Sequence, residues 1–249
     1  MHPILVDLGP LTVYSYGFFI AAAILLGMGL AMHEARQKDL NPRLVLDLGF
    51  YLILGAVVGS RLLYVLLHPV YFFNRPLEIV QFWKGGLVFI GGVIVAVIVA
   101  WIYLKQKEEP FLDWLDTFAP GAAAGQALGR IGCLMAGCCY GKPADLPWAL
   151  TFMMPNSLAP LHLPLHPTQI YHSLAGLVTF VLLVLAKRKD LKSGQLFALF
   201  LVLYSFFRFV IEFFRGDYRG YLGFLSTTQW ITIVVFIIGV SIILKLRSQ

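Results

Sequence analysis

Seven stretches of about twenty apolar residues dominate this chain, more than a soluble core of this size can bury. They run over about 14–32, 46–67, 86–104, 118–136, 168–186, 195–214 and 228–245 of the 249 residues. A helix of about 20 apolar residues crosses a bilayer core of roughly 30 Å. Composition agrees: 59% of residues are hydrophobic, 13% are charged and the mean hydropathy is +0.80, whereas soluble domains are roughly 25% charged. The strand alternation of a membrane barrel is absent. The same figures exclude a disordered chain and a disulfide scaffold. The expectation is an all-α integral membrane protein, a bundle of seven transmembrane helices. No repeat or low-complexity tract interrupts it, so 1–249 reads as a single polytopic membrane domain.

The net charge of +6 first reports orientation. One set of alternate loops carries eleven basic residues: Arg36, Lys38 and Arg43; Lys105 and Lys107; Lys187, Arg188, Lys189 and Lys192; Lys245 and Arg247. The opposite side carries five: Arg75, Lys84, Lys142, Arg215 and Arg219. The excess of Lys and Arg marks the cytoplasmic side. This places the N-terminus outside and the C-terminus in the cytoplasm. The first stretch lacks a basic leader and a small-residue cleavage site, so it reads as a retained helix. The connection 137–167, rich in Pro and Gly, becomes an extended external loop, and long irregular loops often carry function. No basic patch with interleaved aromatics points to nucleic acid.

Three arginines remain, and all lie inside apolar stretches: Arg61, Arg130 and Arg208. Glu212 follows Arg208 by one helical turn and Arg215 follows Glu212. Ionisable groups in a membrane cost several kcal/mol at the centre of a helix and mark functional sites by default. The bland alternative is an i,i+4 pair of Arg208 with Glu212 that holds helices together, with Arg215 reaching the interface. One carboxylate cannot neutralise three arginines on three helices, whereas a lipid phosphate suits them. Guanidinium groups bind phosphate bidentately and keep their charge when buried.

Three polar or glycine-rich motifs accompany the arginines. Gly129-Arg130-Ile131-Gly132 opens a run that closes at Gly141 and includes Cys133, Cys138 and Cys139. The fourth stretch, which carries this run, is rich in Gly and Ala, so it should sit inside the bundle. His166-Pro167-Thr168-Gln169-Ile170-Tyr171 opens the fifth helix, where a cap and an interfacial tyrosine are the simpler reading. Gly85-Gly86 and Gly91-Gly92 flank the third, and alone they signify only tight packing.

With these motifs in order along its length, the chain resembles the prolipoprotein diacylglyceryl transferases. Leu8-Gly9-Pro10 with Tyr16-Gly17, Gly59-Ser60-Arg61-Leu62-Leu63-Tyr64, and the segment from Tyr204 to Arg208, Glu212, Phe213 and Arg215 complete the likeness. The resemblance implies transfer of the diacylglyceryl group of phosphatidylglycerol to the lipobox cysteine thiol in the signal peptide of a prolipoprotein. A thioether forms and glycerol phosphate leaves, at the outer face of the bacterial cytoplasmic (inner) membrane. It implies catalytic roles for Arg130 and Arg208, with Glu212 orienting Arg208. Tyr16 falls where the family has a functional tyrosine near the headgroup. Arg61, Gly132, Gly141, His166, Gln169, Tyr171, Tyr204 and Arg215 are implied in binding lipid or substrate. No cofactor or metal is implied.

The chain also departs from the family pattern. Ile90 replaces a histidine proposed to deprotonate the incoming thiol. Cys133, Ala136 and Cys138 replace the usual Asn, Asn and Glu, and His172 replaces a Glu. His166, His172, Glu212 and the departing phosphate all remain candidates for the base. The C-x4-C-C spacing is not a usual zinc pattern, and the three cysteines read as packing thiols, a disulfide, or a metal or covalent centre. A same-family transferase with another acceptor, and a seven-helix transporter or anion channel, are the rival functions. Neither repeated halves nor paired broken helices of a transporter are visible.

Overall fold

The computed structural model describes residues 2–7, 9, 12–189, 191–217 and 220–247. Leu8, Pro10 and Arg219 of the sequence reading, and the side chain of Lys84, lie outside that description. The described residues form eight α-helices: α1 (Ser15–Gln37), α2 (Arg43–Leu67), α3 (Pro69–Phe73), α4 (Phe89–Gln106), α5 (Phe111–Ala136), α6 (Thr168–Ala186), α7 (Gln195–Glu212) and α8 (Thr227–Arg247). Three small antiparallel pairs accompany them: β1 (Ile4–Asp7) with β2 (Thr12–Tyr14), β3 (Leu150–Thr151) with β4 (Pro164–Leu165), and β5 (Tyr221–Leu222) with β6 (Leu225–Ser226).

Helix ends follow local chemistry. Asn41 Oδ1 accepts from the backbone N–H of Arg43 at 3.1 Å just ahead of α2; α2 stops at His68, ahead of Pro69, because the residue before proline disfavours helix. Pro167 precedes α6. Lys245 and Arg247 fill the last turn of α8, where the helix dipole favours cations.

Six helices, α1, α2, α4, α6, α7 and α8, are long and apolar enough to cross a membrane. Between 11% and 33% of each apolar window is buried, so their outer faces, with Leu25 and Phe50 among the exposed side chains, are left for lipid. The fourth expected span is the 26-residue α5. It is not among the six, because glycine and alanine, with Gln126 and Arg130, make it less apolar.

The chain forms two compact units, Met1–Glu34 with Leu115–Gln249, and Ala35–Trp114. Both boundaries fall inside helices, α1 and α5, so neither leaves a linker to be read in the sequence. In the Ala35–Trp114 unit, α2 packs on α4 with glycines at the crossing. The segment between them is fastened by Arg61: Nε donates to the Ile79 carbonyl at 2.8 Å, Nη1 to those of Gly85 at 2.7 Å and Gly86 at 3.2 Å, and Nη2 to that of Glu78.

In the other unit α5 is the axis. Gly121 meets Gly27 of α1 so closely that a Cβ on Gly121 would lie 2.5 Å from the Gly27 carbonyl oxygen. Ala119 and Ala123 of α5 are buried with Leu183 of α6 and Leu196 of α7. The buried Asp116 carboxylate accepts from the N–H groups of Gly194 and Phe197, each at 2.7 Å, and so caps α7 from its neighbour. Lys187, just after α6, pairs with Glu34 of α1 at 2.6 Å.

Candidate active site

Three strands of irregular backbone bring the sequence motifs together in this unit. The end of the glycine run, the entrance to α6 and the exit from α7 form one seam. Gly141 N–H donates to His166 O at 3.1 Å, Lys142 N–H to Phe214 O at 2.8 Å, and Gly216 N–H to Tyr140 O at 3.1 Å. Gly141 is required here: a Cβ would lie 2.4 Å from both His166 Cβ and His166 O. The first residues of α6 then hold the cysteine loop. Thr168 Oγ1 donates to Cys139 O at 2.7 Å and Gln169 Nε2 to Cys138 O at 2.9 Å.

Charges converge beneath this seam. Arg208, 5% exposed, sets Nη2 3.0 Å from Glu212 Oε2 and Nη1 2.8 Å from His172 Nε2. A guanidinium only donates, so that histidine nitrogen carries a lone pair and the proton of the neutral ring sits on Nδ1. Glu212 Oε1 accepts from Ser226 Oγ at 3.2 Å. Its Oε2 contacts Arg208 as an ion pair without an aligned hydrogen bond, and Arg215 Nε lies 3.9 Å away. Arg215 in turn binds Asp217 with both Nε (2.8 Å) and Nη2 (2.7 Å), while its buried Nη1 has no hydrogen-bond partner.

Arg130 stands apart from these pairs. It is half-buried on α5 and makes no hydrogen bond or ion pair with the described residues. Its charge nevertheless acts on Tyr16, Cys133, His172 and Arg208. The three arginines face two carboxylates, Glu212 and Asp217, around a neutral His172. One positive charge is therefore in surplus, carried by the guanidinium that has no partner.

The cysteines lie at the same place. Cys133, in the last turns of α5, and Cys138 and Cys139 are thiols rather than disulfides, with sulfurs all within 4.8 Å of one another. Arg215 lies against Cys139. Among the described residues, these three thiols form the group with the chemistry to hold a metal.

The other expected residues take mixed positions. Tyr16 is 45% exposed on α1, within electrostatic reach of Arg130 and the three cysteines. His166 Nδ1 lies 3.2 Å from the Tyr171 hydroxyl, which also accepts from Trp148 Nε1 at 3.0 Å. Gln169 is buried, and its Oε1 has no hydrogen-bond partner. Tyr204 stacks on Phe200, with ring centroids 5.9 Å apart, one turn before Arg208. Gly132 packs against Tyr16 and Phe19. Arg61 belongs to the other unit with Ile90, and its guanidinium is committed to backbone carbonyls. The sequence reading missed Asp217 and Ser226, and it weighed His172 as a base rather than as a partner of Arg208. Asp217 two residues after Arg215 was a legible signal, whereas Ser226 reaches Glu212 only when the β6 turn folds back and His172 reaches Arg208 only when α6 packs on α7.

Comparison with known proteins identifies the family. Residues 3–245 match the family described as prolipoprotein diacylglyceryl transferase. Similar proteins named phosphatidylglycerol–prolipoprotein diacylglyceryl transferase include one from Clostridium tetani, 37% identical over 240 residues with 96% of each chain covered. One from Bordetella avium is 38% identical over 245 residues, covering 95% of this chain and 91% of its own. Another from Trichormus variabilis is 35% identical over 248 residues, covering 96% and 87%. With a family match over nearly its whole length and relatives above 30% identity, the chain belongs to the prolipoprotein diacylglyceryl transferase family.

Proposed function

We propose that this protein transfers the diacylglyceryl group of phosphatidylglycerol to the lipobox cysteine of a prolipoprotein signal peptide. The observation that carries the reading is the single surplus positive charge at Arg130, beside the Arg208–Glu212 pair. A phosphodiester carries one negative charge, which matches it. Guanidinium groups held in place by Glu212, Asp217 and His172 cost little reorganisation as charge grows on the phosphate, and one such donor is worth about 10²–10³ in rate. The sulfur attacks the terminal glyceryl carbon, the carbon–oxygen bond breaks with its electron pair going to the phosphate, and glycerol phosphate departs. The thiol proton ends on the phosphate, so the charges balance.

The family's resemblance and the eleven-to-five division of loop basic residues support the membrane arrangement. In this reading all seven long helices cross the cytoplasmic membrane, α5 within the bundle, with the N-terminus and the loop 137–167 outside. The site then faces the outer leaflet, where phosphatidylglycerol enters from the bilayer.

The test is reconstitution of the purified protein in vesicles with isotope-labelled phosphatidylglycerol and a synthetic lipobox peptide. A thioether-linked product with release of glycerol phosphate is expected for the cysteine peptide and not for its serine counterpart. Folded protein that forms no product with the cysteine peptide refutes this substrate pair. Lipid turnover onto some other acceptor would mark the family's chemistry with a different partner, and solute flux without turnover would mark a transporter.

A further inference from the structure

Three thiols from one helix end and its following loop meet beside two guanidinium groups, and a simple packing role leaves this arrangement unexplained. Cys133, Cys138 and Cys139 bring their sulfurs within 4.8 Å of one another. Sulfurs around a tetrahedral zinc, at about 2.3 Å from the metal, are roughly 3.8 Å apart. The difference is about 1 Å at most. The loop is also fixed for the purpose. Thr168 and Gln169 pin the carbonyls of Cys139 and Cys138, and Cys139 is held in the left-handed region at φ +60°, a costly conformation for a residue with a Cβ. No fourth His, Cys, Asp or Glu joins the group among the described residues.

The potential bases nearby are already engaged. His172 Nε2 accepts from Arg208, His166 Nδ1 meets the Tyr171 hydroxyl, and Glu212 is paired with Arg208 and accepts from Ser226. A metal with an open position gives a thiol acceptor a further means of losing its proton before attack, since a thiol is deprotonated outright on coordination. Three thiolates and one zinc ion carry a net charge of −1, and Arg215 lies against Cys139.

We propose that Cys133, Cys138 and Cys139 are the protein ligands of a zinc ion whose fourth position takes the acceptor thiol. The proposal rests on the transferase reading and adds the group that activates the nucleophile. Catalytic zinc sites characteristically keep three protein ligands and one open position. The acceptor S–H loses its proton as the zinc–sulfur bond forms. The sulfur lone pair then makes the carbon–sulfur bond, the carbon–oxygen bond breaks toward the phosphate, and the proton ends on glycerol phosphate. The thioether, neutral and a weak ligand, leaves the zinc. Direct attack by Cys139 itself is the poorer route, because the resulting thioether has no activated bond for the acceptor to displace.

The experiment uses the full chain in detergent with a non-thiol reductant, loaded with Zn²⁺ and dialysed. About one zinc per chain is expected, and its loss in C133S, C138S and C139S, each checked for folding by circular dichroism. Co²⁺ in place of Zn²⁺ should give thiolate-to-metal charge transfer, and the lipobox peptide should shift the cobalt d–d bands where its serine counterpart does not. Removing zinc by chelation should lower transfer on the order of 100-fold, the scale of a lost acid–base group, and added Zn²⁺ should restore it. Folded wild-type protein without stoichiometric zinc, zinc retained by C139S, or full transfer by the metal-free protein overturns the site. The last result would leave the transferase reading intact, whereas zinc and peptide binding without thioether formation would sustain the site and refute that reading.

Discussion

Arg208→Lys retains the charge of the buried arginine and removes its geometry. The guanidinium reaches His172 with one nitrogen at 2.8 Å and Glu212 with the other at 3.0 Å; a single ammonium on a shorter, unforked chain cannot do both and still face a phosphate. A lost hydrogen bond to a charged group costs about 1.5–3 kcal/mol. That is below the 3–5 kcal/mol for leaving one partner of a buried pair alone, because the ammonium would still neutralise Glu212 and Arg215 lies 3.9 Å from the same oxygen. The variant should therefore fold and insert. Its transfer rate should fall by about 10²–10³, the loss of one preorganised donor at the developing anion, with little change in the KM for the acceptor peptide. The assay is initial rate of thioether formation by mass spectrometry, with thermal inactivation followed in parallel. Activity within threefold of the parent would refute the argument that a forked donor holds the phosphate.

Three further outcomes follow from particular contacts. His172→Leu should lower the transfer rate and the inactivation temperature by removing the acceptor that holds Arg208, at a cost of about 1.5–3 kcal/mol, and His172→Gln should restore most of both because its carbonyl accepts in the same way; equal loss in both variants would argue that the ring itself is needed. Arg61→Ala should release the segment 76–86, whose carbonyls occupy its donors, measurable as faster proteolysis there, and unchanged cleavage would contradict the clamp. Gly121→Val should reduce folded yield sharply, since even a Cβ would stand 2.5 Å from the Gly27 carbonyl oxygen; normal yield would show that the two helices can separate.

Much of this was legible in the sequence because membrane crossing constrains residues locally. Six of the seven apolar stretches became helices fit to cross a bilayer, since length and hydropathy alone decide that property. The stretch at 118–136 became α5, and its glycine and alanine residues serve close packing rather than lipid contact. The arginines were legible as anomalies, but not their partners. Arg61 differs from Arg130 only in what surrounds it: loop carbonyls 17–25 residues away in one case, and no paired group among the described residues in the other. The Arg208–Glu212 pair follows from helical spacing, whereas His172 lies 36 residues from Arg208 and meets it only when α6 packs on α7. The C-x4-C-C spacing hid the cysteine cluster for a related reason. A left-handed turn at Cys139, together with the hold of Thr168 and Gln169 on the loop, determines where the sulfurs point.

The proposed chemistry turns on buried arginines that hold a phosphate departing by carbon–oxygen cleavage. Phosphatidylglycerol labelled with ¹⁸O at the oxygen bridging the diacylglyceryl carbon and phosphorus tests this without intermediate steps. The label should leave entirely with glycerol phosphate, and none should be found in the thioether product. Label released in diacylglycerol would mean cleavage at phosphorus and would contradict the carbon–oxygen cleavage on which the account rests.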